Sequence, residues 1–166
     1  MRYLDYLQTP IGIIEIQASS VGVSKVIFPE THEKKTEPNE YTDACKQQLG
    51  EYFDNKRTEF DLPLDLLGTQ FQKSVWSILC QIPFGQAIAY RDIARQMNNL
   101  KAVRAVGAAN GKNPVSIIVP CHRVIGSNGT LTGYAGGLDR KAWLLTHENV
   151  EFKQQTAINF NSEDTL

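Results

Sequence analysis

With 166 residues, 42% of them apolar, the chain can bury a core, which excludes disorder over most of its length. No apolar run approaches the roughly 18 residues of a membrane span, and Met1-Arg2-Tyr3-Leu4-Asp5 sets an acid where a secretory signal has its apolar stretch. The net charge of −1 hides a division: residues 1–67 carry seven Lys/Arg against twelve Asp/Glu, residues 68–150 nine against three, and residues 151–166 one against three. Only the middle segment suits a polyanionic partner, uneven surface solvation being the alternative. The cysteines, Cys45, Cys80 and Cys121, are odd in number and lack Cys-x-x-Cys spacing, which argues against a disulfide framework and against a structural zinc. A soluble, cytoplasmic protein without metal or cofactor is expected.

The first third reads as a small sheet with one helix. Gly12 to Ala18 alternates, Ile14, Ile16 and Ala18 facing one side and Glu15 and Gln17 the other, as in a half-buried strand. Ser19-Ser20-Val21-Gly22 turns the chain, and Val23 to Phe28 forms the next strand. A charged loop, Pro29 to Pro38, leads to a helix from Tyr41 to Phe53 with Ala44, Cys45, Leu49, Tyr52 and Phe53 on its stripe. Cys45 belongs to that stripe as a core residue.

Leu64 to Gly68 marks a boundary, after which the pattern is mainly helical. Thr69 with Gln72 fits a capping box, and Phe71, Val75, Ile78 and Leu79 form the buried face of a helix stopped by Pro83 and Gly85. Cys80 follows directly on that face and is again expected in the core. Tyr90, Ile93, Ala94 and Met97 recur at helical spacing, Asn98-Asn99 breaks the pattern, and a second short helix runs from about Lys101 to Asn110. Its far face carries Lys101, Arg104, Ala105 and Ala108. Two such helices make a helix-turn-helix, a pattern shared by many hairpins that bind nothing. The uncharged run Val115 to Val119 predicts a buried strand ending at Pro120-Cys121-His122-Arg123. Glycines crowd residues 126–137, Asp139 is placed to cap a last helix with Ala142, Trp143 and Leu145 inward, and the tail from Glu151 has no periodicity. The domains are therefore drawn at 1–67 and 68–150, with a flexible tail at 151–166.

Cys121 is the candidate nucleophile. Imidazole and guanidinium follow it in sequence, and both favour thiolate. An inert buried thiol is the competing reading, weakened by the glycine-rich loop that follows. The thiol alone leaves the electrophile open, a cysteine hydrolase included.

Pro120-Cys121-His122-Arg123-Val124-Ile125 resembles the signature of the O6-alkylguanine-DNA alkyltransferases, the methylated-DNA–protein-cysteine methyltransferases. The resemblance runs from Phe71-Gln72-Lys73-Ser74-Val75-Trp76 through Ile88-Ala89-Tyr90, Ala105-Val106-Gly107 and Asn113-Pro114. It continues through Gly133-Tyr134-Ala135-Gly136-Gly137 and Trp143-Leu144-Leu145 to His147-Glu148, about half the chain in the family's order and spacing. It implies an α+β architecture: a ribonuclease H-like sheet-plus-helix domain, then a mainly helical, winged-helix-like domain carrying the helix-turn-helix.

The same resemblance implies roles. Cys121 accepts the alkyl group of O6-alkylguanine in double-stranded DNA, with O4-alkylthymine a further substrate, once per molecule. His122 draws off the thiol proton through a water and Glu148 orients that histidine. Tyr90 donates a proton toward the departing guanine, and Asn113 braces the segment before Cys121. Val124, Tyr134, Ala135 and Gly136 line the pocket. Arg104 fills the stack left by the extruded nucleotide, Lys101, Ala105 and Ala108 let the helix approach the DNA, and Arg123 adds a DNA contact. Some relatives have serine at the position of Ala135, so tolerance of bulky alkyl groups is in question while the backbone N–H is kept. The zinc ligands and the fused regulatory module of certain relatives are missing, which implies a standalone, monomeric, metal-free protein. A catalytically silent damage sensor is the other alternative, and the cysteine speaks against it.

Overall fold

The computed structural model describes residues 2–32 and 34–153. Strands β1 (Tyr3–Thr9), β2 (Gly12–Ala18) and β3 (Val23–Ile27) form an antiparallel sheet in the order β1-β2-β3. The first hairpin closes where the Thr9 hydroxyl donates to Gly12 O (2.6 Å) and accepts from Ile11 N–H (3.2 Å). In the central strand β2, Ile14, Ile16 and Ala18 are fully buried as the alternation predicts. Glu15 and Gln17 are buried too, so β2 is covered on both faces rather than half-buried; the Gln17 amide donates to the Glu15 carboxylate. Helix α1 (Glu40–Phe53) packs on the sheet through Cys45, Leu49 and Tyr52, and Asn39 caps it in a capping box with Thr42.

Helix α2 (Gln70–Leu79) starts at the predicted Thr69–Gln72 capping box. Its buried face is Val75, Trp76 and Leu79, while Phe71 and Ile78 are only half-buried. Trp76 takes their place because its indole N–H reaches Ala109 O (2.8 Å), joining α2 to α4 (Val103–Gly111). Cys80, expected in the core, is exposed as the C-cap of α2, where the helix face has already turned outward.

Helix α3 (Tyr90–Gln96), a turn with Asn98 at φ 55° and a single 3-10 turn (Leu100–Ala102) lead into α4, completing the helix-turn-helix. A pair of two-residue strands, β4 (Ile88–Ala89) and β5 (Val124–Ile125), runs parallel and is too short to leave a period in the sequence. Residues 115–119 are buried, Ile118 only partly, but do not form the predicted strand. Asn113 folds them into a turn, its Nδ2 donating to Val119 O (2.7 Å) and its Oδ1 accepting from Val115 N–H (3.0 Å). Ile117 sits at φ 73°, a costly conformation for a β-branched residue that the surrounding core holds in place. Val26 N–H to Pro114 O and Ser116 N–H to Val26 O dock this turn on β3, tying it to the N-terminal sheet.

Helix α5 (Leu138–His147) is capped by Gly137 at φ 95°, with Asp139 in its first turn but making no cap bond. Leu144, Leu145 and Lys141 are its buried residues, with Ala142 and Trp143 half-buried. Of the tail expected to be flexible, Lys153 is tied to Gly129 and Leu131 by backbone bonds of 2.8 and 3.1 Å, and residues 154–166 lie outside the described residues. No helix among the described residues is long and apolar enough to cross a membrane.

Candidate active site

Cys121 opens a 3-10 turn, Cys121–Arg123, directly after the Asn113-braced segment. The β4–β5 pairing sets Ile88 against Val124 and Ala89 against Ile125. Tyr90 follows β4 and Cys121 precedes β5, so two distant stretches of sequence bring phenol and thiol to one place. The α4 backbone closes in from above: a Cβ on Gly107 would lie 3.9 Å from the Tyr90 ring.

The thiol is only 4% exposed. Burial pushes its pKa up, opposed by the Asn113 side chain and the Lys141 charge. The thiol is therefore protonated at rest, contrary to the thiolate that its neighbours in sequence suggest. Burial is the dominant cause, and the Arg123 charge, adjacent in sequence, is engaged with Glu148 instead.

His122, Arg123 and Glu148 form a buried cluster at 0%, 6% and 1% exposure. Glu148, the C-cap of α5, accepts from His122 Nε2 (2.7 Å), Arg123 Nε (2.7 Å), Arg123 Nη2 (3.1 Å) and the Tyr52 hydroxyl (2.6 Å). Burial alone would raise the carboxyl pKa, but His122 and Arg123 bring it down to about 2. Burial also lowers the pKa of His122, so the ring is neutral at pH 7. With a carboxylate against Nε2, that nitrogen carries the proton, and Nδ1 is left as an acceptor. Nδ1 is buried with no hydrogen-bond partner among the described residues.

Arg123, expected at the DNA surface, is instead held inside by Glu148 and by Ile82 O (2.6 Å). Tyr52 enters the cluster from the N-terminal sheet domain, and burial followed by the Glu148 charge raises its pKa well above the usual phenol range. Its sequence signal was only a position on an apolar stripe.

Val124 is buried, and its carbonyl accepts from Lys141 Nζ (2.7 Å). Tyr134 is half-buried, Ala135 exposed and Gly136 half-buried in the loop before α5. A Cβ on Gly136 would stand 2.8 Å from Tyr134 Cε2 and 2.9 Å from Phe28 Cδ2, so only glycine lets the loop pass between those rings. Arg140 fixes the same loop, bonding Gly136 O (3.0 Å) and Ile11 O (2.7 Å) with its guanidinium 4.3 Å from the Phe28 ring centroid. Lys141 is the polar residue that sequence reasoning missed most completely, because a lysine one position past Arg140 reads as a solvated helix charge. Thr132, whose Oγ1 lies 2.5 Å from the Tyr90 hydroxyl, left no signal either.

On α4 and the turn before it, Lys101, Arg104, Ala105 and Ala108 are all exposed, while Val106, Ala109 and Asn110 are buried. Asn110 Nδ2 reaches Cys121 O (3.4 Å), linking the helix to the nucleophile's backbone. Among the described residues no group of His, Cys, Asp and Glu is arranged to hold a metal ion.

The model of the 6-O-methylguanine DNA methyltransferase ribonuclease-like domain matches residues 2–66, and that of the DNA binding domain matches residues 70–150. The methylated-DNA–protein-cysteine methyltransferase of Methanosarcina mazei is 45% identical over 157 residues, spanning 91% of this chain and 99% of its own. The constitutive methyltransferase of Bacillus subtilis is 41% identical over 167 residues, 93% of this chain and 100% of its own. Among solved structures, Mycobacterium tuberculosis O6-methylguanine methyltransferase superposes with a TM-score of 0.82 at 41% identity, covering 90% of this chain and 93% of its own. The M. tuberculosis OGT in complex with DNA gives 0.79 at 42% identity over 87% and 92%. Both domain models match in order and full-length relatives exceed 40% identity, so the chain belongs to the 6-O-methylguanine DNA methyltransferase family.

Proposed function

We propose that this protein repairs DNA by accepting the alkyl group of O6-alkylguanine, and of O4-alkylthymine, on Cys121, once per molecule. The activity is that of a methylated-DNA–protein-cysteine S-methyltransferase. One observation carries the residue assignment: a buried thiol is followed by a buried neutral histidine whose Nε2 is held by a carboxylate and whose Nδ1 has no partner among the described residues. The Cys121 proton passes to His122 Nδ1 through a water, and Glu148, already charged, stabilises the imidazolium that results. Sulfur then attacks the alkyl carbon. The carbon–oxygen bond breaks, its electron pair leaves with the guanine, and Tyr90 supplies the proton that makes the base a good leaving group.

Lys101, Arg104, Ala105 and Ala108 form the DNA surface, small residues allowing close approach and Arg104 occupying the vacated stack. Tyr134, Ala135, Gly136 and Val124 line the pocket for the extruded base, and Asn113 holds the turn from which Cys121 projects. Domains at 1–67 and 68–150 divide these tasks, the second binding DNA as a monomer. Three unpaired cysteines fit a cytoplasmic setting. Replacing Cys121 by Ala tests the assignment: methyl transfer is abolished while duplex binding persists, and continued transfer onto Cys80 or Cys45 would remove Cys121 from its role.

A further inference from the structure

Lys141 is fully buried, yet it is a cation at neutral pH, burial lowering its pKa only to about 8 while the nearby Cys121 acts in the other direction. An ammonium has three N–H donors and no acceptor. Each N–H has a partner: Val124 O at 2.7 Å, Thr132 O at 3.1 Å and Thr132 Oγ1 at 3.3 Å. The Thr132 hydroxyl must therefore accept from Lys141. Its other contact is the Tyr90 hydroxyl at 2.5 Å, and no further side-chain partner is found for it among the described residues. With one lone pair turned to the ammonium, Thr132 still has its own proton to give to the Tyr90 oxygen, one of the two directions this contact allows. Tyr90's proton is then released from Thr132 and can point at a substrate.

We propose that Thr132, anchored by Lys141, is a positioning residue for alkyl transfer, because its hydroxyl links the ammonium to the Tyr90 phenol and directs the phenolic proton at the departing guanine. This rests on the reading of Tyr90 as proton donor and adds the origin of its direction and acidity. As the carbon–oxygen bond breaks and Cys121 sulfur takes the alkyl carbon, Tyr90 O–H protonates the guanine ring. The phenolate draws the Thr132 proton, and Thr132 is restored by one N–H of Lys141, which ends as a neutral amine. The thiol proton meanwhile resides on His122, so no proton is unaccounted for. Charge-assisted bonds of this kind strengthen one another along a chain in a buried site.

The test uses the full-length protein and free O6-benzylguanine, which separates chemistry from DNA binding. Thr132→Val keeps the side-chain shape and removes the hydroxyl. Its alkylation rate at saturating O6-benzylguanine should fall about tenfold, the scale of one lost hydrogen bond in a transition state, with the half-saturating concentration unchanged. Thr132→Ser should restore the rate. In a Tyr90→Phe background, itself slowed about 10²-fold, Thr132→Val should add nothing. Tyr90→Phe at the wild-type rate would overturn the donor assignment itself. A slow Tyr90→Phe beside a wild-type-rate Thr132→Val would overturn the relay alone. So would equal losses from Thr132→Val in both backgrounds, or failure of serine to restore the rate. Lys141→Met is the less direct variant, since it also removes the Lys141 bonds to the Val124 and Thr132 carbonyls.

Discussion

Replacing Glu148 by Gln should both slow transfer and loosen the fold, and the second effect can be sized from the cluster. The carboxylate accepts four hydrogen bonds, two of them from a guanidinium only 6% exposed. A neutral amide leaves Arg123 buried without its counter-charge. Breaking a buried pair from one side costs about 3–5 kcal/mol, a large share of the roughly 5–15 kcal/mol that holds a domain together. For a chain of this length that corresponds to a fall in melting temperature of about 6–20 °C. The pH dependence has a definite sign. A carboxyl whose pKa is lower folded than unfolded stabilises the protein above the unfolded value and loses that contribution as pH falls toward the folded one. For Glu148 the window runs from 4.5 down to about 2, and its full depth is about 3 kcal/mol. Thermal melts at neutral pH and across that acid window, on wild type and Glu148→Gln, measure both quantities. The variant should melt lower at neutral pH and lose less on acidification. A variant within 2 °C or so of wild type at neutral pH, with the same acid sensitivity, would refute the reasoning.

Arg104→Ala should weaken repair of duplexes far more than reaction with free O6-benzylguanine, which needs no extrusion; equal losses on both would make Arg104 a residue of the fold. Duplex affinity should fall steeply with added salt as phosphate contacts release counterions, and a flat salt response would argue against the α4 surface. Asn113→Ala should cost about 1–3 kcal/mol in unfolding free energy, because Val119 O and Val115 N–H lose their shared buried partner, and should slow transfer through the misplaced Cys121 turn. Alkylated protein should melt lower than free protein, since a methyl added to the buried Cys121 overpacks its surroundings by about 1–3 kcal/mol; an unchanged melt after complete alkylation would reject that strain.

Periodicity and capping chemistry in the sequence locate α1 to α5 to within a few residues, because those helices bury stripes that local spacing records. It misplaces residues 115–119, where an apolar run looks like a strand but Asn113 and the left-handed Ile117 fold it into a turn. The β4–β5 pair is equally invisible, being two residues long and joining segments more than thirty residues apart. Cys121, His122, Glu148 and Tyr90 are legible through family signature, and the structure brings them together. Arg123 is misread because sequence shows a cation but not its buried partner. Tyr52, Thr132 and Lys141 go unseen because their importance lies in tertiary contacts that local spacing does not record: Tyr52 with Glu148, Thr132 with Tyr90 and Lys141, and Lys141 also with Val124.

The proposed transfer to Cys121 happens once per molecule. A saturated carbon on a neutral thioether resists hydrolysis, because the thiolate it would have to release is a poor leaving group. Intact mass of the protein mixed with excess duplex containing O6-methylguanine is therefore the most direct measurement, followed by peptide mapping. One methyl per chain, on the peptide that contains Cys121, with demethylated guanine stopping at one equivalent, is the predicted result. Methyl on another residue, an unmodified protein beside demethylated DNA, or product continuing past one equivalent would contradict it.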